Sequence, residues 1–105
     1  MLSEQEYKVA CDRALDDLFK ALAAAADRHE FDPDMSNGTL TIAFDEPPGR
    51  FVVSPQTPVR QIWVSAHSKS YKFDWDGSAF VLNGQTLKQM MAAAVSQQMG
   101  ESVTL

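Results

Sequence analysis

Between residues 39 and 82 the chain reverses direction repeatedly, and this hairpin spacing constrains the fold more than any other feature. "TLTIAFD" at 39–45 alternates strictly: Leu40, Ile42 and Phe44 face one side, Thr39, Thr41 and Ala43 the other. "NG" precedes this run and "EPPG" at 46–49 follows it, and both are turn signals. "RFVVS" at 50–54, residues 60–65, "YKFDW" at 71–75 and "AFVL" at 79–82 read as further short strands. They are separated by "QTP", by the polar "AHSKS" and by the tight-turn pair "DG". Short strands at this spacing predict an antiparallel sheet.

A helix flanks the strands on each side. Ser3 followed by Glu6 forms a capping box, and residues 3–28 then place Tyr7, Cys11, Ala14, Leu18, Leu22 and Ala25 on one face. Asp12, Asp16 and Asp27 fall on the opposite face. Asp32-Pro33 lies beyond the helix end, because a residue before proline avoids the helical region. Thr86 and Gln89 form a second capping box at the start of a helix over 86–99, with Leu87, Met90, Met91, Ala94 and Val95 buried and Gly100 as its C-cap. Each helix has a single apolar stripe and needs a surface to cover. The expected fold is therefore α+β: a two-layer α/β sandwich over residues 1–105, a single domain. It has an antiparallel sheet of five or more short strands, with the N- and C-terminal helices packed on one face and the other face wet.

Charge and composition remove several classes of function. A net charge of −5 argues against nucleic acid and anionic membranes as main partners, because both require positive charge. The single cysteine, Cys11, permits no internal disulfide and no cysteine cluster for zinc, which fits a reducing compartment. No stretch approaches the ~20 apolar residues that span a bilayer. "MLSEQEYK" lacks the pattern of a secretory signal, so a bacterial cytoplasm is the expected location. No phosphate loop, nucleotide fingerprint or Ser-His-Asp arrangement is visible, and a non-enzymatic role is expected.

"QTPVRQIWVSA" at 56–66 holds the main anomaly. Alternation sends Ile62 and Val64 to one face and Gln61, Trp63 and Ser65 to the other, so the largest side chain sits on the polar face. A partly covered surface tryptophan is common. An aromatic on a flat polar face is also the form of a binding hot spot. This stretch, followed by "YKFDWDG" at 71–77, resembles the frataxin family, in both its bacterial and mitochondrial branches. The resemblance covers nearly the whole chain and is strongest from "NGTLTIAF" to "FDWDG". The mitochondrial likeness leaves a matrix protein as the alternative location.

The resemblance implies an α/β sandwich and an accessory role in iron–sulfur cluster assembly. The partners it implies are a cysteine desulfurase and a scaffold protein, with weak iron binding and modulation of sulfur transfer. It implies partner binding through Trp63 with Gln56 and Gln61, and through the neighbouring Ser65 and Lys72. Ser54 and Lys72 depart from the asparagine and arginine usual in animal members, and lysine lacks the planar fork of arginine. The resemblance further implies an acidic ridge for iron and for the desulfurase, here Asp16, Asp17, Asp27, Glu30, Asp32 and Asp34. The ridge is thinned, since Lys20 and "LAAAAD" stand where relatives carry carboxylates. Scattered carboxylates are usually just a solvated face, and loose binding is all that surface oxygen ligands would give. His29 beside Glu30 is a weaker candidate, and His67 weaker still. Two other functions stay open: an iron store or ferroxidase, and an interaction sandwich unrelated to iron. A monomer is expected, with iron-dependent oligomerisation as the alternative. Because only Val103 and Leu105 could pack between the helices after Gly100, modest stability is expected, with the tail contributing little if those side chains are exposed.

Overall fold

Ser3 opens helix α1 (Glu4–Ala26) in the computed structural model, which describes residues 2–105. Its hydroxyl accepts from the Glu6 amide at 3.1 Å and the Glu6 carboxylate accepts from the Ser3 amide at 3.0 Å, completing the capping box. These bonds hold the Glu6 carboxyl below its usual range. The buried stripe of α1 is Tyr7, Cys11, Leu15, Leu18, Leu22 and Ala25. Leu15, absent from the expected stripe, takes the central place that Ala14 was expected to fill. The stripe is wider than one residue per turn, and the larger side chain fills the space facing the sheet.

Seven antiparallel strands follow in sequence order: β1 (Phe31–Ser36), β2 (Thr39–Asp45), β3 (Pro48–Gln56), β4 (Gln61–Ala66), β5 (Lys69–Trp75), β6 (Phe80–Leu82) and β7 (Gln85–Thr86). A 3-10 turn at Thr57–Val59 joins β3 to β4. The last element is α2 (Leu87–Met99), with Thr86 as its capping-box residue and Gly100 in the left-handed conformation as its C-cap. Asn37-Gly38 and Asn83-Gly84 both have positive φ at both positions, as two-residue hairpin turns require.

Strands β1 and β7 were not foreseen. "FDPDMS" contains a proline and two aspartates, poor strand formers. As an edge strand it needs partners on one side only, and proline there blunts the free edge. Its register against β2 puts Phe31 opposite Phe44 and Met35 opposite Leu40, so its apolar residues extend the core face.

The core lies between the sheet and the two helices. Leu40, Ile42, Val53, Ile62, Val64 and Phe73 have no exposed surface, and they meet Leu22, Met91 and Val95 from the helices. Trp75 is only half-buried, because it sits where the sheet tapers to the short β6 and packs edge-on to Phe80 at 5.2 Å. Cys11 is buried and free.

The tail is docked rather than loose. Val103 is 4% exposed, and its amide and carbonyl both bond to the Ser96 hydroxyl, at 2.9 and 3.2 Å. Glu101 meets His29 at 2.6 Å, joining the tail to the turn after α1. Burying one valine is worth roughly 1.5–3 kcal/mol. A chain ending at Gly100 is therefore expected to melt about 10 °C lower. An unchanged midpoint in a thermal scan would mean that the tail contributes nothing.

Candidate functional site on the open face of the sheet

Strand register assembles the face that no helix covers. Gln56 pairs with Gln61 and Gln61 with Asp74; Ser54 pairs with Trp63 and Trp63 with Lys72; Val52 pairs with Ser65 and Ser65 with Ser70. Gln56, Gln61, Trp63, Ser65 and Lys72 thus lie on three neighbouring strands and on one face. Their in-strand neighbours Ile62, Val64 and Phe73 point into the core and fix which way this face looks.

Alternation to the wet face predicts a substantially exposed Trp63, but the structure leaves it half-buried. Two neighbours cover part of it. The Lys72 ammonium stands 4.9 Å from the ring centroid, in cation–π range. The indole N–H donates to the Gln61 side-chain oxygen at 2.8 Å. The Gln61 amide nitrogen in turn donates to the Asp74 carboxylate at 2.9 Å. The indole N–H and the Gln61 amide are both engaged, and the indole is held in one orientation. Gln56 reaches the Ser54 hydroxyl more loosely, at 3.4 Å. An aromatic fixed in this way presents contact area at little cost in conformational entropy.

Asp74 was not among the expected site residues. Alternation in "YKFDW" does put it on the face of Lys72, so the signal was there. Its link to Gln61 depends on cross-strand register, which the sequence does not print.

The six carboxylates expected at the acidic ridge are all exposed, but they occupy three separate stations. Asp16 and Asp17 lie on α1, and Asp16 is paired with Lys20 at 3.0 Å. Asp27 and Glu30 flank the turn after α1. Asp32 and Asp34 lie on β1 and belong to the open face, opposite Ala43 and Thr41. Among the described residues, no three His, Cys, Asp or Glu groups converge as metal ligands would. The set does not fit a coordination cage. It fits diffuse attraction of a cation. His29 is engaged with Glu101 and stacked on Phe31, not grouped with Glu30 and Asp32. His67 packs edge-on to Phe51.

A groove of about 730 Å³ lies elsewhere, between the first half of α1, Phe80 and the start of α2. It shares no residue with the Trp63 row.

The profile of the family described as "Frataxin-like domain" matches residues 1–101. The chain belongs to the frataxin-like family. This family member is 33% identical over 108 residues to an iron-sulfur cluster assembly protein CyaY from Cupriavidus metallidurans, covering 99% of this chain and 96% of that one. It is 30% identical over 106 residues to the CyaY of Cupriavidus taiwanensis, covering 98% and 96%. Yeast frataxin superposes with a TM-score of 0.75 at 26% identity, over 94% of this chain and 85% of that one. The frataxin of Psychromonas ingrahamii superposes with a TM-score of 0.77 at 19% identity, over 98% and 97%, a likeness of fold. The two-layer sandwich expected from the sequence is the frataxin architecture.

Proposed function

We propose that this frataxin-like domain acts in iron–sulfur cluster assembly as a non-enzymatic accessory protein. It binds the complex of cysteine desulfurase and scaffold through its open face and modulates sulfur transfer there. The observation that carries this reading is the half-buried Trp63, fixed between Lys72 and Gln61 on a face that no helix covers. Curated relatives named for iron–sulfur cluster assembly support the setting.

Iron enters this reading as a loosely held cargo attracted by the dispersed carboxylates. The same charges face a basic surface on the desulfurase. A ferroxidase would need a pre-organised set of carboxylates and histidines, and no observation favours that reading.

The carboxylates and the Trp63 row have separate physics. Asp34 lies in the same cross-strand row as Ser65, three strands away, or roughly 14 Å at the usual strand spacing. That exceeds the Debye length of about 8 Å at physiological salt. Reversing charge at Asp16, Glu30 and Asp32 is therefore expected to weaken iron uptake and to slow desulfurase association about threefold to tenfold at low salt. The association defect should fade as salt is raised. Stopped-flow association at two ionic strengths, with iron titrated in parallel, checks this. A defect independent of salt would mean that the carboxylates act through contact. The experiment that tests the main reading is a pull-down with desulfurase and scaffold, wild type against Trp63→Ala.

A further inference from the structure

Tyr7 is on the wrong side of the sheet to touch a partner, yet its hydroxyl reaches the segment that bears the partner residues. The ring is 1% exposed in the core and packs edge-on to Phe80 at 6.0 Å. Its hydroxyl accepts from the Gln56 amide at 2.9 Å and donates to the Gln61 carbonyl at 2.5 Å. Gln56 and Gln61 stand opposite each other in the register, on either side of the 3-10 turn. The hydroxyl therefore relays a hydrogen bond from the last residue of β3 to the first of β4. Burial pushes the phenol well above its ordinary pKa, which keeps it a neutral donor.

Arg60 closes the same turn from its other end. It is left-handed at φ 55, with its guanidinium 6.0 Å from the Tyr7 ring centroid. That guanidinium donates to the Leu2 carbonyl at 3.4 Å and to the Thr57 carbonyl. A left-handed arginine costs conformational energy that these contacts must offset. Two side chains thus tie the β3–β4 turn to the start of α1. From Gln61 the restraint passes directly to the open face, because the Gln61 amide is the acceptor of the Trp63 indole N–H.

We propose that Tyr7 is a positioning residue for the partner face: its hydroxyl, held from α1, sets the spacing of Gln56 and Gln61 and so the seat of Trp63. This rests on the open face being the partner surface. The test is Tyr7→Phe, which keeps the ring and its packing and removes only the relay.

In the free protein, NMR reads the Trp63 indole N–H resonance and the exchange rate of the Gln56 amide, with the Trp75 indole as internal reference. Tyr7→Phe should shift the Trp63 signal and speed Gln56 exchange about tenfold, since the amide loses its acceptor. Affinity for the desulfurase–scaffold complex should fall about fivefold. Ser96→Ala, which loosens the tail on the other side of the fold, controls for lost stability and should bind as wild type. Arg60→Asn, an exchange that tolerates the left-handed backbone, should move the same signals and decides the matter if Tyr7→Phe does not fold. Unchanged NMR signals and affinity in the folded variants overturn the proposal. So does an equal loss of affinity in Ser96→Ala. If Trp63→Ala itself binds normally, the partner reading fails, and the two NMR signals alone uphold or overturn the relay.

Discussion

Replacing Trp63 with alanine is expected to weaken binding to the desulfurase–scaffold complex by about 2 kcal/mol or more, roughly thirtyfold in affinity. The loss should persist at high salt, because it removes desolvated contact area rather than charge. It should leave iron uptake unchanged, because the carboxylates lie on other elements. The indole is also the group that Lys72 and Gln61 are arranged around, so its removal frees both neighbours. Gln61 would keep its bond to Asp74 and Lys72 would turn to solvent. Little folding stability should be lost, since the ring lies on the open face, outside the core. Calorimetric titration of the complex, with a thermal melt of the free variant, separates these effects. A variant that binds normally and supports cluster assembly at the wild-type rate would show that the tryptophan is not the contact residue.

Phe73→Ala is expected to cost about 3–5 kcal/mol of folding stability. Phe73 is fully buried in the middle of β5 and pairs with Ile62 across to β4. Truncation would leave a cavity under the strand pair that carries Trp63, Lys72 and Asp74 on its other side. Partial collapse into that cavity would move the open face as well. For a domain of about this size the loss corresponds to a melting point lower by roughly 15–30 °C, close to unfolding for a marginally stable chain. Urea unfolding measures it directly. A cost below about 1 kcal/mol would mean that the site relaxes fully and that the core is less tightly packed than its burial implies. Phe73 and Trp63 therefore separate two kinds of importance, one measured in folding and the other in partner affinity.

Much of the scaffold is legible in the sequence. Ser3 with Glu6 and Thr86 with Gln89 marked both helix starts, because a capping box is a local device that needs only four residues. The alternation of Leu40, Ile42 and Phe44, and of Ile62 and Val64, assigned strands and the buried face together. With the sheet covered on one side, Trp63 had to lie on the other. β1 was not legible, because its propensities are poor and only pairing with β2 makes it a strand.

The sequence by itself determined the helix–strands–helix order, the covered face of the sheet and the family, since periodicity, caps and short motifs are properties of neighbouring residues. The tertiary structure alone decided how those elements act on one another. It brought the Tyr7 hydroxyl to the backbone of Gln56 and Gln61, Asp74 to the Gln61 amide, and Glu101 to His29. It also seated Val103 in the core and spread the carboxylates over three stations. Such contacts join residues far apart in the chain, and they depend on register, helix placement and a few ångströms of reach. No local pattern records those quantities.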